Sequence, residues 1–284
     1  MDNRMITTNY HIHSHYCDGK GELDDYVEQA IARGLSSIGF SSHAPLPFDS
    51  RWAMPLDKLP LYLADIAQCR ARYADQVEIY AGLELDFLPD SADSSRSRLL
   101  EMPLDYVIGV VHFAGGEQDS SRWTVDGPAE PFDVGLRERY RGDIRSLVCE
   151  YFRRTRVMVE QGSIHVLGHF DRILYQNAGG RLFSESAPWY IEAVEQTLQT
   201  IARHDLLMEL NVAGWFAPLG QPNPTPQALK RCRELGIRIT VTTDAHRPEN
   251  VARGLDRAEQ LLLETGYREI WCLEQGRWGS HPIV

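Results

Sequence analysis

Asn9-Tyr10-His11-Ile12-His13-Ser14-His15-Tyr16-Cys17-Asp18-Gly19 is the stretch on which the reading of the fold turns. As a short strand it puts His11, His13 and His15 on one face, because side chains at i, i+2 and i+4 point the same way. Two imidazoles on one face can hold a metal ion. In a chain with ten histidines a His-x-His pattern also arises by chance, so its meaning depends on what recurs downstream.

What recurs is an apolar run that exits at a metal-competent side chain. Further strands are expected at 35–43, 77–84, 105–112, 163–172, 206–211 and 237–246. They carry His43, Glu84, His112, His169, Asn211, Asp244 and His246 at or near their ends; His165, closer to a strand start, reads as structural. Helical spacing runs over 22–33, 57–73, 135–161, 189–204 and 249–265. Gly34 is placed to stop the first of these, and another helix is expected to begin at Thr225-Pro226 and end at Gly236. Residues 89–100 read as a loop and short helix, and 114–135 as a long loop of the kind used for lids or substrate walls. Residues 268–273 read as an eighth or peripheral strand.

Seven strands alternating with helices imply a parallel sheet. An open sheet would spread His11, His13, His43, Glu84, His112, His169, Asn211, Asp244 and His246 along an edge, whereas a closed barrel gathers them at the strands' C-terminal ends. Imidazole and carboxylate donors suit zinc, manganese or iron. Nine candidates exceed what one ion can use, so two or three divalent ions sharing a carboxylate such as Glu84 are expected, with phosphoester hydrolysis as fitting chemistry.

The totals agree with this. At 284 residues, 43% hydrophobic and 24% charged, the chain can bury a sizeable core, and one domain spanning 1–284 is expected. A net charge of −11 disfavours a nucleic-acid partner bound through a broad basic surface. No apolar run approaches the ~20 residues of a membrane helix and no apolar leader follows Met1, so a cytoplasmic protein without a membrane partner is expected. Five scattered cysteines, with no Cys-x-x-Cys pair, argue against a disulfide framework; Cys17 stands beside the candidate ligands.

His11-x-His13 with Asp18-Gly19, His43, Glu84, His112, His169 and Asp244-Ala245-His246 together resemble the PHP (polymerase and histidinol phosphatase) superfamily. The segments Phe40-Ser41-Ser42-His43-Ala44-Pro45, Gly168-His169-Phe170-Asp171 and Asp244-Ala245-His246-Arg247-Pro248-Glu249 look most similar to its histidinol-phosphatase branch. The resemblance implies a distorted (β/α)7 TIM-like barrel with a trinuclear centre. One ion would take His11, His13, Glu84 and Asp244; a second would share Glu84 and take His112 and His169; a third would take Asp18, His43 and His246. It also implies a metal-bridging hydroxide as nucleophile, with Asp244, His246 and Glu84 catalytic. The reaction implied is L-histidinol phosphate plus water giving L-histidinol and phosphate, in histidine biosynthesis; another small phosphorylated metabolite or nucleotide is the alternative.

Two positions depart from the family pattern. Asn9 and Ser42 stand where many relatives carry Asp, so each loses a carboxylate able to orient a ligand imidazole. Arg172 and Arg247, just beyond ligand positions, are either phosphate-binding forks or surface ion pairs. His15 is either a substrate contact or proton donor to the leaving alkoxide, or simply exposed. Asn211 either orients substrate or water, or caps its strand.

Overall fold

The computed structural model describes residues 5–88, 99–113 and 123–283. Seven strands run β1 Thr8–Asn9, β2 Ser37–Phe40, β3 Glu78–Asp86, β4 Tyr106–Val110, β5 Val166–Leu167, β6 Leu207–Asn211 and β7 Ile239–Thr242. All pair parallel, each with its successor in the chain. The circle closes past the strand ends, where Ile12 bridges Ala245: His13 N donates to Ala245 O (2.9 Å) and Ala245 N to His11 O (3.1 Å). The result is a distorted (β/α)7 TIM-like barrel. Very short β1 and β5 are what distort it.

The helices are α1 Leu23–Ala32, α2 Leu59–Arg72, α3 Ala129–Tyr140, α4 Ile144–Gln161, α5 Pro188–Arg203, α6 Pro226–Glu234 and α7 Leu255–Thr265. The expected ends hold where cap chemistry is strong. Gly34 sits at φ 72° after α1, and Thr225 caps α6 through Ala228 N with Pro226 behind it.

The expectation of one helix over 135–161 preceded by a loop to 135 needs correction. Helix α3 already starts at Ala129, its Pro131 tolerated in the first turn where no N–H is required. The chain then breaks at Arg141 and Gly142, both at positive φ (53° and 81°). Asp143 caps α4 by accepting from Ser146 N at 3.1 Å. Residues 114–122 and 89–98, parts of the two expected loops, lie outside the described residues.

The strand expected at 163–172 is also shorter, only Val166–Leu167. The reason is chemical: His169 N leaves the ladder and donates to the Glu209 carboxylate at 2.7 Å. Two 3-10 turns within Arg172–Gly180 follow, separated by a kink at Asn177–Gly179.

The region at 268–273 is peripheral. It forms an antiparallel hairpin, β8 Glu269–Glu274 with β9 Arg277–Pro282, outside the barrel sheet. This hairpin plugs the end of the barrel opposite the site. Tyr10, Tyr80, Tyr106, Val166 and Leu207 pack inside with Leu273 and Trp278, and Tyr10 OH both accepts from Leu273 N (2.9 Å) and donates to Leu273 O (3.1 Å). Gly39 and Gly82 leave room for the Tyr106 ring, which a Cβ at either position would overlap. Gly82→Ala is therefore expected to cost about 1–3 kcal/mol in urea denaturation. An unchanged midpoint would show that the Tyr106 ring has other space to occupy.

Candidate metal centre

Glu84, near the end of β3, is 1% exposed and lies at the centre of the strands' C-terminal rim. Around its two oxygens stand His169 Nε2 (2.9 Å), His43 Nδ1 (2.7 Å), His11 Nε2 (3.5 Å), His13 Nε2 (3.6 Å) and His112 Nε2 (3.8 Å). Asp244 forms a second anionic pole, its Oδ1 3.1 Å from His13 Nε2, 3.4 Å from His246 Nδ1 and 3.7 Å from His11 Nε2. It sits at φ 49°, a conformation Asp tolerates better than most residues. Farther out, Asp18 Oδ1 lies 3.3 Å from His246 Nε2 and 3.7 Å from His43 Nε2.

These donors fit divalent cations on two counts. Three sets have ligand atoms close enough to share an ion: His13, Asp18, His43 and His246; His11, His13 and Glu84; His43, Glu84 and His112. In addition, His11 Nε2, His13 Nε2, His43 Nδ1, His169 Nδ1, Glu84 Oε2 and Asp18 Oδ1 are buried without a hydrogen-bond partner. Folded proteins rarely leave buried polar atoms so. Gathered around Glu84, the lone pairs of these imidazoles and carboxylates fit divalent cations.

The electrostatics follow from burial opposed by ion pairing. Burial alone would raise the Glu84 carboxyl, but His43 and His11 hold it well below the usual carboxylate range. The same contest, with His11 and His13, lowers Asp244. Burial would lower His112, yet Asp86 and Asp126 bring it up to about 10. Burial would likewise lower His13, and Cys17 and Asp244 bring it to about 10.

The other ring nitrogens are held by groups that the sequence did not flag. His11 Nδ1 pairs with Glu209 Oε2 at 2.8 Å, and His112 Nδ1 with Asp86 Oδ1 at 3.1 Å. Each carboxylate fixes the orientation of its imidazole, as groups behind metal-binding histidines do. The signal existed, because Asp86 lies two residues past Glu84 and Glu209 two before Asn211, on the same strand faces.

The cavity beside this cluster holds about 320 Å³ and is lined by the cluster together with Trp52, Thr124, Asp126, Gly127, Pro128 and Arg172. Asp126 and Trp52 were not flagged in the sequence. Trp52 stands edge-on to His43 and His112, with ring centroids at 4.5 and 5.6 Å.

Residues 9–213 match the model of the PHP domain. The chain belongs to the PHP domain family. A Deinococcus radiodurans protein named "Probable histidinol-phosphatase" is 28% identical over 92% of this chain and 94% of its own length. The Bacillus subtilis histidinol-phosphatase is 33% identical over 50% of this chain and 56% of its own. A crystal structure of Lactococcus lactis histidinol phosphate phosphatase, in complex with zinc, L-histidinol and phosphate, superposes with a TM-score of 0.74 at 21% identity, covering 96% of this chain and 98% of that one.

All nine expected ligands of this PHP domain converge on the rim, together with Arg172. His15 and Arg247 do not reach it. The turn in which His15 N donates to Gly21 O (3.0 Å) and Cys17 N to Ser14 O (3.0 Å) ends the period-2 pattern. His15 swings out to Glu22, 3.1 Å away. Arg247 is 60% exposed and 4.0 Å from Glu249. Asn211 is fully buried; its Nδ2 donates to Glu209 Oε1 (3.0 Å) and Asp244 Oδ2 (3.3 Å), while Oδ1 accepts from Ala213 N. It steadies Asp244 and caps its strand.

The side chains at 9 and 42 bond to backbone and hydroxyl groups rather than to a candidate ligand imidazole. Asn9 staples β1 to β7, donating to Thr243 Oγ1 (2.6 Å) and Val251 O (3.0 Å) and accepting from Thr243 N and His11 N. An Asp would set a carboxylate oxygen against the Val251 carbonyl. Ser42 pairs with Ser14 at 3.1 Å.

Two outcomes are expected. Glu209→Gln should weaken divalent-metal binding about 10- to 100-fold in chelator competition while leaving the circular dichroism spectrum unchanged. Because nearby Cys17, Asp244, Asp86 and Asp126 raise His13 and His112 to about 10 against the effect of burial, metal binding to these imidazoles is expected to displace protons. Calorimetry in buffers of differing ionisation enthalpy should show proton release, with affinity rising as pH rises. Tighter binding at lower pH would contradict the imidazole assignment.

Proposed function

We infer that this chain is a metal-dependent phosphomonoesterase that hydrolyses L-histidinol phosphate to L-histidinol and phosphate. The observation that carries the phosphatase chemistry is the set of buried, unpartnered imidazole and carboxylate atoms around Glu84, with the Arg172 fork beside them. The relatives' names, and the L-histidinol and phosphate bound in the Lactococcus lactis enzyme, supply the substrate.

In this reading His11, His13, Glu84 and Asp244 would hold one ion, Glu84, His112 and His169 a second, and Asp18, His43 and His246 a third. Divalent ions bound there supply an activated water and the positive charge that offsets the phosphoryl oxygens in the transition state. The chain's own groups do the rest. Glu209 and Asp86 fix the tautomers of His11 and His112 by their Nδ1 contacts. Arg172 presents a guanidinium edge to the phosphate; Arg forks suit this geometry. Trp52 walls one side of the cavity. Glu84, Asp244 and His246 touch the reacting centre.

The zinc of the Lactococcus lactis enzyme favours zinc here, with manganese and iron suited by the same donors. A single barrel unit over 1–284, a cytoplasmic location and the penultimate step of histidine biosynthesis complete the reading. Among the described residues no helix is long and apolar enough to cross a membrane. The net charge of −11 favours a small phosphoester over a nucleic-acid polymer.

Phosphate release should be compared across L-histidinol phosphate, sugar phosphates, nucleotides and short oligonucleotides, using protein of measured metal content. The expected result is a strong preference for L-histidinol phosphate that chelator removes, and background rates for His112→Ala and Asp244→Asn. Preference for another phosphoester would overturn the substrate, and full activity in either variant would overturn the metal centre.

A further inference from the structure

Arg172 and Asp126 meet on the cavity wall from segments far apart in the chain. Arg172 Nε donates to Asp126 Oδ2 at 3.1 Å, and the guanidinium carbon lies 4.0 Å from the centre of the Tyr175 ring. Its Nη1 lies 3.6 Å from Asp244 Oδ2, is buried, and makes no hydrogen bond. A guanidinium is a rigid planar fork of five donors. With Nε occupied and one face covered, the donors left are on the two terminal nitrogens, and the buried Nη1 stands beside the candidate metal cluster, 3.6 Å from Asp244.

The backbone carrying Asp126 is fixed on both sides. Thr124 forms an antiparallel bridge with Phe113, and Val125 N donates to His112 O at 2.8 Å. Gln176, on the same 3-10 helix as Arg172, donates to Gly127 O at 2.6 Å. The strand exit that bears His112 and the helix that bears Arg172 are thus tied together through the Asp126 segment. Burial would raise the Asp126 carboxyl, but His112 and Arg172 hold it below its ordinary value. Asp126 Oδ2 faces Arg172 Nε at 3.1 Å and, more loosely, His112 Nε2 at 3.7 Å, so its hydrogen bond is committed to Arg172.

Resting on the phosphomonoesterase reading, we propose that Asp126 is a positioning residue that acts through Arg172, holding the guanidinium so that its unpartnered Nη1 edge meets the substrate phosphate beside Asp244. The carboxylate fixes where the fork points; the fork binds the anion.

The test is a double-mutant cycle with Asp126→Ala and Arg172→Ala on protein of measured metal content. It reads KM and kcat for L-histidinol phosphate and, independently of turnover, calorimetric binding of inorganic phosphate. Each single variant is expected to weaken phosphate binding and raise KM about 10- to 100-fold, the loss typical of a hydrogen bond to a charged group. Metal content should hold. In the Arg172→Ala background, Asp126→Ala is expected to cost nothing further. Asp126→Asn, which keeps an acceptor for Nε, should retain most of the binding and covers a failure of the alanine variant to fold; Arg172→Gln does the same for its partner.

Additive losses in the double variant, loss of metal in Asp126→Ala, or unchanged phosphate binding in Asp126→Ala would each overturn the proposal. Wild-type protein that binds phosphate yet leaves L-histidinol phosphate intact would overturn the substrate reading alone, with the binding cycle still deciding the role of Asp126.

Discussion

A buried carboxylate shared among imidazoles is the constraint on which the rest of the structure depends. Glu84 is 1% exposed, and an anion there is costly unless positive charge surrounds it. Imidazoles from four other strand ends supply partners, and closing the barrel is what brings those ends within 4 Å of one carboxylate. The fold is therefore the device that assembles the site. An open sheet with the same sequence of strands would leave Glu84 beside its neighbours alone.

The two ends of the barrel divide the labour. At one end Tyr10, Tyr80, Tyr106 and the β8–β9 hairpin make a packed aromatic plug, with edge-to-face rings and a doubly hydrogen-bonded Tyr10 hydroxyl. That end contributes stability. At the other, polar atoms are left without partners on the inner wall, and buried carboxylates such as Glu209 and Asp86 hold the rings from behind. Separating the two functions along the strand axis lets the site carry a dense buried cluster of charged and polar groups while the far end contributes apolar burial.

Much of this was legible in the sequence because metal-competent side chains and strand ends coincide. Every ligand expected from a strand exit, from His11 to His246, reached the rim, and the alternation of strands with helices gave the barrel. What was not legible has local causes. Period-2 reasoning carried His15 one step too far, across a turn closed by backbone hydrogen bonds. The break between Ala129–Tyr140 and Ile144–Gln161 rests on two positive-φ residues within a continuous helical pattern. Asp126 sits where no hydrophobic period marks the backbone, so only the folded chain shows it against Arg172. Asn9 looked like a missing carboxylate, and proves to be a four-bonded staple.

The most direct measurement is anomalous X-ray diffraction from crystals of the purified protein, recorded on both sides of the zinc, manganese and iron absorption edges. The expected result is at least two peaks in contact with the oxygens of Glu84, with a further one near Asp18, His43 and His246. The absence of any peak within bonding distance of Glu84 would contradict the shared-carboxylate centre from which the rest of the reading is built.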